Sequence, residues 1–388
     1  MDLEKIKKIN VKIIGIGDGG ANIVCEVSQK IKKTNFLIVN GKGQFLKKIP
    51  KNVERFELKG KIPLESDFEG VEKLVRENEE KIKKVLKNVD LAIFIICLGG
   101  ATGSGAGFVF SEISQRLGNL NYGIFTLPFK FEGKKKREIA SFAFQKIKEN
   151  FHSFSIIEND KIFQLVDKSV SLKNAFSELN KILAKNIQGL IELIFQPCLI
   201  NIDFADIKSV LTGRGKLVFL NSAKAKDKNR AKEALEKVLK CPLYSYNIDK
   251  AKEVLFNIAG GKDLTLTEVR EISEKISQIS KSNKIIFGIC EKKDLQNQIE
   301  LTLLASGCQA LNFDFLNLSQ KEEPLPILTK NQKNQKKQKK ENSNEIRKNA
   351  LQVKEEIKKM EKEMLEKEKF WEIPAIFRQK KKKNAKNI

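Results

Sequence analysis

Short apolar runs alternate with helix-period segments through the first half of the chain. VKIIGI (11–16), FLIV (36–39), LAIFIICL (91–98), YGIFTL (122–127) and FSII (154–157) are rich in β-branched and aromatic residues and short enough for buried strands. Helical patterns fall between them, at 69–88 and 105–117. Such alternation predicts a mostly parallel sheet with helices on both faces. Phe176, Leu179, Ile182, Leu183, Ile187, Leu190, Ile191 and Ile194 then keep helical spacing, which predicts a long helix over 174–195 stopped by Pro197. After 207 the pattern restarts with VFL (218–220), KNRAKEALEKVLK, AKEVLFNIAGG, an amphipathic helix from near Thr267, and the strands KIIFGIC and IELTLLASG. That is a second, smaller α/β unit, with ordered structure ending near 316.

From 320 the pattern changes. KNQKNQKKQKK is a solvated, flexible basic run. In 345–368, Ile346, Ala350, Val353, Ile357, Met360 and Met364 recur at alternating four- and three-residue spacing, a heptad-like seam on a Lys/Glu helix. A seam built on Ala, Val and Met associates weakly, so a charged spacer is favoured over a short coiled coil. The division that follows is 1–173, 174–196, 197–316, 317–370 and 371–388.

Composition narrows the classes. At 388 residues with 41% hydrophobic content the chain can fill two cores. No leader and no membrane-spanning stretch is visible, since a span needs about 20 apolar residues. The six cysteines (Cys25, Cys97, Cys198, Cys241, Cys290, Cys308) lack C-x-x-C spacing, which favours buried reduced thiols in a cytosolic protein over disulfides or zinc. The one histidine, His152, lies among apolar residues and reads as a packing residue. Of the net charge of +24, the segment 321–388 carries 21 Lys+Arg against 11 Asp+Glu. The remainder is spread without a basic stripe or interleaved aromatics, so lysine bias explains it better than nucleic-acid binding.

Two glycine loops carry the candidate chemistry. Gly15-Ile-Gly-Asp-Gly-Gly20 fits G-x-G-x-x-G between a strand and a helix. The next strand ends in Asn40-Gly41-Lys42 without the acidic residue that would hold a dinucleotide's ribose, which weakens an NAD reading. Gly99-Gly100-Ala101-Thr102-Gly103-Ser104-Gly105 follows an apolar strand and opens a helix, placing amides and hydroxyls at the positive end of its dipole. More glycines stand here than a tight turn needs, which points to a cradle for two or three phosphates.

This second loop resembles the GGGTG signature of the FtsZ/tubulin family, departing at Ala101. Gly19, Gly20 and Asn22 match the family's first nucleotide loop. Pro128 to Arg137 resembles PFxFEGxxR, with Lys136 at the arginine position. Glu158-Asn159-Asp160 resembles its PND loop, and Asn201 to Ile207 matches NxDFADV. Glu372 to Gln379 (EIPAIFRQ) resembles the DIPAFLRRQ tail peptide found in FtsZ and not in tubulin.

The resemblance implies a Rossmann-like nucleotide-binding domain, a central helix, a second smaller α/β domain and a flexible, partly helical tail. It implies a cytoplasmic filament protein of the bacterial division site beneath the inner membrane, binding GTP and GDP with Mg²⁺. Nucleotide contacts are expected from Gly17, Gly19, Gly20, Asn22, Gly99, Gly100, Ala101, Thr102, Gly103, Ser104, Gly105, Glu132, Lys136, Asn159, Phe176 and Asn180. Asp203, Asp206 and Asn201 would enter the next subunit's site and direct the attacking water. The expected partners are a second copy of the chain, membrane tethers and division-ring regulators at Glu372 to Gln379, and anionic lipid or another filament at KKKKNAKNI; no specific nucleic acid is expected. No dedicated metal-ligand cluster is expected.

Three positions depart from the family. Lys181 stands where the resemblance places an aspartate against the guanine edge, so an ammonium would meet the ring's donors unless it reached O6 or N7. Lys42 replaces an aspartate near the γ-phosphate, and Leu64 to Gly70 replaces the GAGxxPE loop with a segment holding three acids. A polymerising GTPase and a non-hydrolysing filament subunit or adaptor therefore both stay open. Asp18 is a candidate to help hold a cation.

Overall fold

A computed structural model describes residues 9–41, 49–60, 68–167, 169–282 and 284–309. The tail expectations (spacer helix, partner peptide and lysine run), Lys42 and residues 64–67 all lie outside the described residues.

The expected strands form: β1 (Val11–Ile16), β2 (Asn35–Asn40), β4 (Leu91–Cys97), β5 (Leu120–Leu127) and β6 (Ser153–Glu158). A further strand, β3 (Val53–Glu57), pairs with β2 at the sheet edge. Its three charged residues, Glu54, Arg55 and Glu57, hide the strand in sequence, and they suit an edge facing water. Helices α1 (Gly17–Lys30), α2 (Phe68–Arg76), α3 (Glu79–Leu86), α4 (Ala101–Arg116) and α5 (Lys134–Ile147) intervene. The pattern at 69–88 is thus two helices. Asn78 holds the N-cap position of α3 without a side-chain bond to that helix, and its side-chain amide donates instead to the Leu74 carbonyl of α2 at 3.3 Å.

The long helix, α6 (Leu172–Phe195), starts at Ser171, whose Oγ accepts from the Asn174 amide. It is followed by α7 (Phe204–Leu211), β7 (Lys216–Lys226), α8 (Arg230–Leu239), β8 (Glu253–Gly260), α9 (Leu266–Ser280), β9 (Lys284–Glu291) and β10 (Gln298–Ser306). One ten-stranded sheet runs β3-β2-β1-β4-β5-β6-β7-β10-β8-β9. The pairs from β3 to β7 are parallel, while β10 is antiparallel to β7 and β8. Every residue of β1 and of β5 is buried, as expected of strands covered on both faces.

The join between the halves is thin in backbone terms. β6 and β7 share two register pairs, Ser153 with Lys216 and Phe154 with Leu217. Hydroxyls supplement them: Ser155 Oγ donates to the Val218 carbonyl at 2.6 Å, and Tyr246 Oη accepts from the Ile156 N–H at 3.3 Å. α6 is fixed across the join by Asn186, whose amide donates to the Leu220 carbonyl and accepts from the Ser222 N–H.

One sequence expectation is corrected. Cys198 and Cys290 form a disulfide, with their Cα atoms 4.2 Å apart. The β-bridge between Ile200 and Ile289 aligns the two segments, a tertiary pairing that cysteine spacing does not reveal. Cys25, Cys97, Cys241 and Cys308 are free thiols. His152 is a packing residue in the structure: its Nδ1 accepts from the Asn121 N–H at 3.1 Å, and burial holds its pKa below the usual value.

In the second half, Arg230 is 8% exposed at its side chain and pairs with Asp263 and with Glu268, the latter at 2.6 Å. These pairs tie the start of α8 to the turn before α9. Replacing Arg230 by Met removes the shared partner of both carboxylates, and the variant is expected to unfold at a lower denaturant concentration. Denaturant titration of the variant checks this.

Candidate nucleotide site

In the strand order, the chain proceeds outward in opposite directions from β1 and β4. Their neighbouring carboxyl ends form the switch point at which doubly wound sheets bind ligands. α1 begins at Gly17 immediately after β1, and α4 begins at Ala101 two glycines after Leu98. Two helix N-termini with their unpaired amides therefore meet at one place, an arrangement suited to anions.

The glycines divide into distinct tasks. Gly17 and Gly99 have positive φ, at 74° and 97°. Gly20 and Gly103 permit close backbone approach: an added Cβ would stand 2.4 Å from the Ile95 carbonyl oxygen and 2.7 Å from that of Cys97. At Gly105 it would meet the Phe68 carbonyl oxygen at 2.9 Å. Gly100 has nothing within 4 Å and presents a bare face. The expectation that so many glycines exceed a structural need is corrected here, because packing alone requires several of them.

Beside these loops lies a cavity of about 950 Å³, at the upper end of the usual range for ligand pockets. Gly17, Gly19, Asn22, Gly99, Gly100, Ala101, Thr102, Gly103, Glu132, Lys136, Asn159, Phe176 and Asn180 all line it, so sequence positions from 17 to 180 converge. Gly20, Ser104 and Gly105 do not line it; they are buried where the helices pack on the strands. Asn201, Asp203 and Asp206 do not line it either.

The wall is held by its own bonds. Asn40 donates to Asp18 Oδ1 at 2.8 Å. Glu132 accepts from the Phe129 N–H at 2.8 Å and pairs with Lys136 at 2.5 Å, so the ammonium is anchored at the rim. Phe129 packs edge-on to Phe176, with centroids 5.6 Å apart. Cys97 lies in the wall beneath Gly19, and burial pushes its pKa up to about 11, leaving an unreactive thiol.

Lys181 is not aimed at this cavity. Its ammonium pairs with Glu178 at 2.7 Å beside an adjoining depression that shares Asn174 and Ser177 with the cavity, and that partner raises its pKa. The cavity-facing position is Asn180, one turn after Phe176, and Lys181 lies about 100° further round the helix. The ammonium is therefore not part of the cavity wall. Of the segment 64–70, Phe68, Glu69 and Gly70 belong to α2 and not to a loop.

Several wall residues escaped the sequence reading: Glu26, Asn174 and Ser177 in particular. Glu26 follows Asn22 by one helical turn, and Ser177 follows Phe176; helical phase was the available signal. Among the described residues, no three His, Cys, Asp or Glu side chains are grouped as a metal site.

A doubly wound sheet whose switch point carries two glycine-bordered helix N-termini over one cavity defines a mononucleotide-binding protein. Residues 10–167 match the Tubulin/FtsZ family, GTPase domain, and residues 217–309 match the FtsZ family, C-terminal domain. An empty FtsZ dimer of M. jannaschii is 30% identical, with a TM-score of 0.69, covering 78% of this chain and 89% of that one. CetZ1 of Haloferax volcanii, a GDP-bound monomer, is 19% identical with a TM-score of 0.67, covering 80% and 100%. CetZ2 of the same organism, a GTPγS-bound protofilament, is 16% identical with a TM-score of 0.68, covering 80% and 98%. The chain belongs to the tubulin/FtsZ family, whose first domain is a GTPase domain and implies guanine-nucleotide binding.

The glycine tasks separate folding from binding. Gly20→Ala drives a methyl into a strand carbonyl and should cost on the order of 1–3 kcal/mol, seen as a lowered Tm. Gly100→Ala meets open space at an ordinary φ and should leave Tm unchanged while weakening nucleotide binding by titration.

Proposed function

We propose that the chain is a polymerising GTPase whose active site is completed by a second copy. The observation that carries this reading is the length of α6. Its first turns, with Asn174, Phe176 and Asn180, line the cavity, and its last leads directly into Asn201, Asp203 and Asp206. A helix of 24 residues spans about 36 Å, so these three residues are carried far from the cavity of their own chain. They reach a cavity by stacking of one copy on the next.

The acidic segment is preformed for such a role. The Asp203 N–H donates to Asp206 Oδ2 at 3.2 Å, and Asn201 Oδ1 accepts from the Cys198 N–H at 2.7 Å. Exposed Leu199 and Ile200 adjoin it and offer apolar area for the contact. In the assembled pair, Asp206 takes the proton of the attacking water, Asp203 orients that water and Asn201 completes its hydrogen bonds. The bound GTP places its phosphates at Gly17 and Gly99 to Gly103. Mg²⁺ suits this end of the cavity because it binds through one or two carboxylates and the substrate's phosphates; Asp18 would hold it, and the ion would neutralise developing charge.

Support for self-assembly also comes from the FtsZ dimer and the CetZ2 protofilament among the similar structures. The further reading is a filament of the cytoplasmic division ring, joined to tethers and regulators through Glu372 to Gln379 and to anionic lipid through the terminal lysines. The tail peptide favours the FtsZ branch.

The test is phosphate release from GTP, with ATP alongside, over a protein concentration series with Mg²⁺. Turnover is expected to rise above a threshold concentration, and Asp206→Ala should lower it by about 100-fold or more while still binding nucleotide. Sedimentable polymer without turnover would make the chain a structural filament subunit instead.

A further inference from the structure

Three carboxylates line the cavity, Asp18, Glu26 and Glu132. Asp18 and Glu132 are engaged by Asn40 and by Lys136. Glu26 differs. Its Oε1 accepts from Ser177 Oγ at 2.9 Å, but Oε2 is buried with no hydrogen-bond partner among the described residues. A carboxylate oxygen shielded from water without a donor is costly, so the geometry is complete once a ligand brings one.

The placement of Glu26 says which part of a ligand that is. It stands nine residues beyond Gly17 on α1, about 13 Å along the helix axis. The glycine end favours phosphates, whereas a carboxylate repels them. A nucleotide is thereby oriented by charge, with phosphates at the loops and base beside Glu26. On the helix that bonds to Glu26 through Ser177, Phe176 and Asn180 also line the cavity, the one offering a ring and the other a carbonyl. The nearby cation, Lys181, feels the charge of Glu26 but has its ammonium on Glu178.

We infer that Glu26 is the specificity-determining residue of the site, its free oxygen accepting from the N1–H and N2 amino edge of guanine. Guanine presents adjacent donors there, whereas adenine presents a ring acceptor at N1 that a carboxylate disfavours. Ser177 positions the carboxylate. This assignment rests on the guanine-nucleotide reading above.

The experiment uses the full chain, displacing a fluorescent GDP analogue with GTP, ITP, XTP and ATP. ITP lacks the N2 amino group, and XTP carries a carbonyl in its place. Wild type is expected to bind GTP about 10-fold or more tighter than ITP, consistent with a hydrogen bond to a charged acceptor. Glu26→Gln should weaken GTP by about 10- to 100-fold yet hold or improve XTP, whose carbonyl accepts from the new amide. Ser177→Ala should keep the ranking with a smaller loss. A Glu26→Gln chain with wild-type affinities for GTP, ITP and XTP overturns the role of Glu26 alone. Equal binding of GTP and ITP by wild type overturns it without recourse to any variant. Wild type that binds ATP as tightly as GTP, or no guanine nucleotide, overturns the guanine reading along with it.

Discussion

The site depends on how closely backbone can approach backbone at the carboxyl ends of β1 and β4. Gly20 lies against the Ile95 carbonyl and Gly103 against that of Cys97, distances no side chain would permit. That contact brings the starts of α1 and α4 together, and their unpaired amides then face one cavity. The apolar strands supply the burial that holds the junction, for Ile13, Ile14, Ile16 and Ile93 to Ile96 are wholly shielded from solvent. Removing a glycine there disturbs the sheet before it disturbs a ligand.

α6 converts this local arrangement into an end-to-end relation. The same helix walls the cavity at its start and carries an acidic segment at its finish. Asn186 and Ser177 fix its rotation, bonding to β7 on one side and to Glu26 on the other. Its phase decides which side chains see the cavity, and this is why Asn180 does and Lys181 does not.

Much of this was legible in the residues. Uninterrupted apolar runs marked the central strands, and a regular helical repeat marked α6 to within two residues of its start. The glycine loops marked the helix starts that border the cavity, although several of their glycines serve packing. What escaped has physical causes. β3 is an edge strand with charged residues, so its pattern resembles a loop. Glu26 looks like any helix carboxylate until α6 packs against it. The Cys198–Cys290 pairing joins positions 92 residues apart through a single β-bridge, and linear spacing carries no trace of it. The sequence named Asn180 as a contact but did not show that Lys181, one position on, turns away from the cavity, and one residue is a large rotation on a helix.

The join between β6 and β7 bears on how separable the two halves are. Two register pairs cross it, backbone bonds from Gly215 and Lys216 to Phe151 and His152 adjoin them, and Ser155, Tyr246 and Asn186 add side-chain bonds. The side-chain part of that boundary can be changed by point substitution, whereas its short backbone ladder is kept or lost whole. The two sequence matches, 10–167 and 217–309, leave α6 and α7 between them. Each half is therefore recognisable in sequence by itself, although one sheet runs through both.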